Sequence, residues 1–323
     1  MTFKAFTDRD ESVPPGTVIP SVLEALMQRP GVHPPMSTAV VWPCSNFALA
    51  GAIDAAEAGV IEPILIGCSA ELKEVAGDRA PLLSRYRIVE AANEREAARI
   101  GAEMCRQGEA AAVMKGSLHT DTLMHAVLAK ECGLRTTRRV SHVFVMDAPL
   151  YNRTLFITDA AINIYPTLDD KVDIVQNAID LARVLGVPEP RVAILSAAET
   201  VCSKITSTLD AAALCKMAER GQITGGVLDG PLALDTAVSP KAVEVKGIRS
   251  EVAGNADILV VPDLESGNML AKQLEYLGGA ALAGIVLGAK VPVILTSRAD
   301  PPRSRVVSCA IAALLAHQST SRY

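Results

Sequence analysis

Two hydroxyls and a guanidinium stand side by side at Thr296-Ser297-Arg298, directly after the apolar, β-branched run 291–295. Pro301-Pro302 then suits a helix start, and 303–317 has the apolar spacing of a packed helix. A phosphate-sized anion at Ser297 and Arg298 would meet a bidentate fork, a hydroxyl and a helix N-terminus together. The plainer reading is a surface arginine that happens to follow a strand.

Four other segments put polar groups straight after apolar runs. Lys115-Gly116-Ser117-Leu118-His119-Thr120 combines a glycine, which permits close backbone approach, with Lys115, Ser117 and Thr120 as phosphate-oxygen donors. Thr158-Asp159-Ala160-Ala161-Ile162-Asn163 places Asp and Asn around two alanines, which an Asx turn would also explain. Leu228-Asp229-Gly230-Pro231-Leu232-Ala233-Leu234-Asp235 reads as a strand and then a turn, with Asp229 and Asp235 available to a substrate. Val261-Pro262-Asp263-Leu264-Glu265-Ser266-Gly267-Asn268 opens a helix with Gly267 in its first turns. That glycine costs stability relative to alanine unless a ligand or another backbone comes close. Lys272, one turn beyond Asn268, can reach a ligand phosphate or simply sit solvated on the helix.

These groups need a scaffold, and short apolar strands alternating with Ala-rich helices supply it. Strands are predicted at 39–42, 63–67, 86–89 and 111–114, with helices at 47–58, 93–107 and 120–131 between and after them. A helix is also expected at 21–29 within a proline-rich lead-in. The second series has strands at 142–146, 155–158, 192–195, 226–228 and 256–261 and helices at 169–185, 208–220 and 265–277. The first two of those strands are close enough to pair antiparallel. Runs 285–287 and 291–295 close the pattern, and β-α alternation implies parallel, doubly wound sheets. Ligands bind such sheets at the carboxyl ends of the strands, where all five segments fall.

Composition narrows the class. Half of the 323 residues are hydrophobic and only 3% aromatic, so the core is built from Ala, Val, Leu and Ile, as in layered α/β proteins. With 31 basic against 36 acidic residues the net charge is −5 and no basic stripe appears, which argues against nucleic acid. Arg135, Arg138 and Arg139 remain available to a small anion. No apolar run is long enough to cross a bilayer, and the charged first ten residues contain no signal core. Seven scattered cysteines with no Cys-x-x-Cys pair read as reduced thiols in cytoplasm, and the five histidines form no ligand pattern with them. No metal site is expected. Gly-x-Ser-x-Gly, a Walker loop and Gly-x-Gly-x-x-Gly are all absent, which removes most support for hydride transfer.

Together the segments resemble the phosphate acetyltransferase/phosphate butyryltransferase family. The most specific part is Pro262-Asp263-Leu264-Glu265-Ser266-Gly267-Asn268-Met269-Leu270-Ala271-Lys272 followed by Leu277-Gly278-Gly279-Ala280. Asp229-Gly230-Pro231-Leu232 and Ser297-Arg298 follow in the family's order and spacing. The wording of the segments at 115–120 and 158–163 is similar to the transferase portion of bifunctional enoyl-CoA hydratase/phosphate acetyltransferase chains. The resemblance implies two doubly wound α/β domains with a cleft between them, like isocitrate and isopropylmalate dehydrogenases. The first would take 1–139 plus 284–323 and the second, inserted, 140–283. It also implies a homodimer and the reaction acyl-CoA + phosphate ⇌ acyl phosphate + CoA, with CoA as substrate and product and no tightly bound cofactor.

In that reaction Arg298 would bind phosphate and the developing oxyanion, Ser297 would hydrogen-bond the CoA sulfur, and a carboxylate would handle the thiol proton. Lys115, Gly116, Ser117, Thr120, Asn163, Asp229, Asn268 and Lys272 would line the substrates. The acetyltransferases carry their catalytic Asp several residues beyond Ser-Arg; here Arg303, Ser304 and Arg305 stand there and Asp300 is the nearest carboxylate, so the base is Asp300 or comes from elsewhere. His125 and Tyr276 stand where those enzymes have arginines, which leans toward the butyryl branch. Two other classes stay in view: a non-catalytic acyl-CoA or phosphate-binding regulator, and a metal-dependent dehydrogenase of the same fold.

Overall fold

A computed structural model describes residues 22–27, 34–297 and 300–320 of the chain. The chain divides into two compact units: Glu24–Arg138 with Ala283–Tyr323, and Arg139–Leu282 with Val22 and Leu23. Helix α1 (Val22–Met27) falls inside the helix expected at 21–29, whose ends lie outside the described residues.

The first unit begins with β1 (Met36–Val41), α2 (Asn46–Glu57), β2 (Ile61–Gly67), α3 (Ser69–Ala76), β3 (Arg87–Glu90), α4 (Glu94–Gln107), β4 (Ala112–Lys115) and α5 (Thr120–Val127). The second holds β5 (Ser141–Asp147), β6 (Thr154–Thr158), α6 (Leu168–Val184), β7 (Arg191–Leu195), α7 (Thr206–Glu219), β8 (Val227–Leu232), α8 (Leu234–Val238), α9 (Pro240–Lys246), β9 (Ile258–Val260) and α10 (Leu264–Tyr276). The chain then completes the first unit with β10 (Ala281–Leu287), β11 (Val293–Ile294) and α11 (Pro302–Thr320).

In the first unit the strand order is β3-β2-β1-β4-β11-β10. All are parallel except β10, which runs antiparallel to β11. In the second the order is β5-β6-β9-β7-β8, parallel apart from the antiparallel pair β5–β6. The sheets are thus mixed rather than wholly parallel. The link from Leu287 to Val293 is too short for a crossover helix, so β10 and β11 form a hairpin.

Two boundaries differ from expectation for physical reasons. The helix expected at 120–131 ends at Val127, and a 3₁₀ turn, Lys130–Cys132, leads to left-handed Gly133 (φ 67°). Asp229-Gly230-Pro231 is not a turn after a strand but lies inside β8, with a register shift opposite Ala193–Leu195. β8 is the outermost strand, where a residue without an N–H is tolerated beside a bulge. The helices α3, α8 and α9 have no counterpart among the expected elements.

Both cores are aliphatic. In the first unit Val40, Val41, Leu65, Ile66, Val113, Met114, Ile285, Val286, Val293 and Ile294 are buried, covered by α4 on one side and the packed pair α2–α11. Small residues bring α4 close: a Cβ on Gly101 would fall 2.6 Å from Val41 Cγ2. In the second unit Phe144, Met146, Ile157, Leu195, Leu232 and Leu259 form the centre.

Candidate active site

Parallel pairing decides which loops share an edge. Val41 lies opposite Lys115, and Ile294 lies opposite Met114. The segments after β1, β4 and β11 therefore leave the first sheet at the same end. Gly116 N–H donates to Val41 O (2.9 Å) and Ser117 N–H to Trp42 O (2.8 Å), prolonging the ladder beyond β4. Those two amides are spent on β1, so they do not form the phosphate-binding backbone that the glycine suggested. A Cβ on Gly116 would lie 2.4 Å from the carbonyl oxygens of both Val41 and Trp42; the glycine serves strand packing. Lys115 is buried, with Nζ donating to Gly116 O at 3.3 Å.

The hydroxyls of this edge are linked. Ser117 Oγ donates to Ser45 Oγ at 2.8 Å, and Ser45 caps α2 by accepting Ala48 N–H. Between β1 and that cap, Trp42 adopts φ 51°, a left-handed conformation rare for a bulky residue. Its N–H to Ile66 O and its carbonyl to Ser117 N–H hold it there. Thr120 is the first residue of α5. His125 lines a groove with Arg95, Arg99, Asp121 and Thr122 on α4 and α5.

Beyond β11 lies a buried charged pair. Asp300 and Arg305 are each only 2% exposed. Asp300 Oδ2 accepts the Ser297 N–H at 2.6 Å. Arg305 donates from Nη2 to Ser297 O (2.9 Å) and from Nη1 to Thr296 Oγ1 (3.1 Å). Burial pushes the Arg305 guanidinium down, against the upward pull of the Asp300 carboxylate. The stem of Arg305 lies on Gly51 of α2, where a Cβ would come within 2.2 Å of its Cδ. Arg298, the strongest phosphate candidate, lies outside the described residues. Arg303 is exposed beside Glu24, and Ser304 is buried with its carbonyl accepting from Ser308 Oγ.

In the second unit, Thr158 pairs with Val260 and Ile194 with Val260, so the ends of β6, β9 and β7 are level. Asp159 is buried and accepts four hydrogen bonds, from the N–H groups of Ala161, Ile162 and Asn163 and from Asn163 Nδ2. Burial pushes its carboxyl up against the pull of these donors. Asn163 also donates to Val140 O and accepts from Arg139 Nε, so its amide is engaged within the unit and shapes the loop. Asn268 Nδ2 reaches Ala160 O at 3.3 Å, joining α10 to that same loop. Gly267 is explained by close packing: a Cβ there would sit 2.7 Å from Val261 Cγ2 and 3.1 Å from both Ala160 Cβ and Asp159 O. Asp263 and Ser266 form a capping box, which uses the Asp of the motif for helix initiation. Lys272 pairs with Glu275 (2.7 Å) and lies over the Tyr276 ring. Asp229 accepts the Gly230 N–H on β8. Asn163 and Asn268 are thus brought together, while Asp229 stands two strands away from β9.

Sequence reasoning held no sign of Trp42 or of the Ser45–Ser117 bond, and placed Arg305 only in the stretch of the family's Asp. Gly51, a helix-interior glycine asking for a close neighbour, was a second signal for Arg305. Among the described residues no helix is long and apolar enough to cross a membrane, and no group of three or more His, Cys, Asp or Glu is placed to hold a metal.

The profile of the family described as phosphate acetyl/butaryl transferase matches residues 83–313. A phosphate acetyltransferase from Rhizobium meliloti is 58% identical over 297 residues, covering 92% of this chain and 94% of its own. A phosphate butyryltransferase from Clostridium acetobutylicum is 44% identical over 263 residues, covering 81% and 87%. Among solved structures, a branched-chain phosphotransacylase from Enterococcus faecalis V583 superposes with TM-score 0.77 at 30% identity, covering 87% of this chain and 99% of that one. The chain belongs to the phosphate acetyl/butyryl transferase family.

Proposed function

We propose that the phosphate acyltransferase reaction of this chain runs by direct attack in a ternary complex with acyl-CoA and inorganic phosphate. A phosphate oxygen attacks the thioester carbonyl, the carbon–sulfur bond breaks, and CoA leaves as a thiol after taking a proton. No electrons change hands, so the chemistry needs no redox cofactor and CoA is purely substrate and product. Arg298 binds phosphate and the developing oxyanion, and the Ser297 hydroxyl donates to the leaving sulfur. Ser117 and Thr120 contribute hydroxyls at the same strand edge. Asn163 and Asn268, joined through the loop after β6, together with Asp229 on β8 and Lys272 on α10, are the candidates for holding CoA. The observation that carries the reading is that the hydrogen-bonded Ser45–Ser117 pair and the Ser297-Arg298 dipeptide follow the neighbouring parallel strands β1, β4 and β11 in the chain. The regulator and dehydrogenase alternatives are not favoured, since relatives 44–58% identical to the chain are phosphate acetyl- and butyryltransferases.

Initial rates of phosphate-dependent thiol release, with acetyl-, propionyl- and butyryl-CoA varied against phosphate, test the mechanism. Intersecting double-reciprocal lines are expected; parallel lines would indicate a covalent acyl-enzyme and overturn direct attack. The ranking of the three thioesters assigns the acyl preference.

Cys44 is the thiol within the Trp42–Ser45 segment, and burial pushes it up to about 12. Such a thiol is a poor nucleophile at neutral pH. Cys44→Ala is expected to keep kcat within about threefold of wild type, and intact-mass spectra during turnover are expected to show no acyl adduct. An acylated Cys44 peptide would contradict this.

The seven cysteines are all unpaired, which supports a reducing, cytoplasmic setting. A homodimer is the proposed assembly, and light scattering at twice the 34.0 kDa chain mass is the expected result.

A further inference from the structure

We infer that Asp300 and Arg305 act as a positioning pair that fixes Ser297 for the reaction, and that Asp300 is not the general base. The inference rests on the proposed role of the Ser297 hydroxyl at the leaving sulfur. Both backbone polar groups of Ser297 are gripped by the pair: the N–H by Asp300 Oδ2 and the carbonyl by Arg305 Nη2. The same guanidinium takes the preceding Thr296 hydroxyl. A residue held at both its amide and its carbonyl has little freedom in φ and ψ, so its Oγ is aimed by the buried pair beneath it. Asp300 is 2% exposed and has Oδ2 committed to this bond, a poor situation for exchanging a proton with a substrate thiol.

Three elements converge on the arrangement. Arg305 comes from the first turns of α11, the gripped segment follows β11, and Gly51 of α2 leaves the space that the Arg305 stem fills. A buried Arg and Asp lower each other's desolvation cost through their opposite charges, and the hydrogen bonds to Thr296 and Ser297 engage Asp300 Oδ2 and Arg305 Nη1 and Nη2. The arrangement occupies the stretch where the acetyltransferases carry a catalytic Asp, and it gives Arg305 a use that does not require it to touch substrate.

The test compares kcat, both KM values and pH profiles for phosphate-dependent thiol release in Asp300→Asn, Asp300→Ala, Arg305→Lys, Arg305→Met and Gly51→Ala, each checked by circular dichroism and thermal melting. An asparagine oxygen still accepts the Ser297 N–H, so Asp300→Asn is expected to lose about tenfold or less in kcat and keep the wild-type pH profile. Asp300→Ala and Arg305→Met are expected to lose about 100-fold in kcat with both KM values within about threefold, because misplacement by 1 Å costs that much. Arg305→Lys should fall between. Gly51→Ala leaves every charge in place and improves helix propensity, yet it displaces Arg305; a loss of about tenfold or more is expected. Equal losses for Asp300→Asn and Asp300→Ala, with the acidic limb of the profile abolished, would make Asp300 the base and overturn the inference. An unchanged kcat in Gly51→Ala would overturn it as well. If Ser297→Ala itself keeps full kcat, the failure lies in the role given to Ser297 and not in the pair.

Discussion

Arg298→Ala is expected to lower kcat/KM for phosphate by about 1000-fold, roughly 4 kcal/mol of transition-state stabilisation. Inorganic phosphate is a weak nucleophile carrying one to two negative charges, and it must be held against a thioester that is itself attached to an anionic cofactor. A guanidinium neutralises that repulsion and presents two parallel N–H donors to two phosphate oxygens. As the carbonyl collapses to a tetrahedral oxyanion the same charge gains strength, so much of the loss should appear in kcat. Arg298→Lys keeps the charge but not the fork, and a loss of about 10- to 100-fold is expected. Steady-state rates over a wide phosphate range separate the two contributions. Activity in Arg298→Ala within tenfold of wild type would remove Arg298 from the reaction.

The second large effect concerns the scaffold. Gly116→Ala should destabilise the first unit by about 2–3 kcal/mol, since the added methyl meets backbone that cannot swing aside. Its Cβ would lie 2.4 Å from the carbonyl oxygens of Val41 and Trp42, where side-chain repacking offers no relief. Moving the loop away breaks the Gly116–Val41 and Ser117–Trp42 hydrogen bonds and, through Ser117 Oγ, the link to Ser45. Differential scanning calorimetry should record a melting temperature lower by about 5–10 °C. Turnover should drop with it at temperatures where the wild type is fully folded. A melting point unchanged within a degree would show that the strand edge is not packed as described.

How much of this was readable beforehand varies by kind of signal. Strand-then-polar-group segments were legible because short β-branched runs have few alternatives, and β4, β6, β9 and β11 all end where chemistry-bearing residues begin. Which partner each polar group would choose was not legible. Asp159 and Asn163 turned inward to each other, Asp263 to a helix cap, and Gly116 and Gly267 to neighbouring backbone. The two glycines answer to neighbours distant in sequence, whereas the Asp159–Asn163 and Asp263–Ser266 contacts are local and compete with a ligand for the same side chains. Asp-Gly-Pro was read as a turn because composition cannot distinguish an outermost strand from a loop. Arg305 was legible as a departure in the stretch of the family's Asp, but its burial against Gly51 and its grip on Ser297 were not, because they depend on how α11 packs on α2.

The central claim is that phosphate itself takes the acyl group. The most direct measurement is the stoichiometry of purified enzyme with acyl-CoA and phosphate, scoring free thiol against acyl phosphate trapped as its hydroxamate. One acyl phosphate per thiol, with no thiol release when phosphate is omitted, is the result expected. Thiol release that continues without phosphate, or without matching acyl phosphate, would mean hydrolysis by water and would contradict the account.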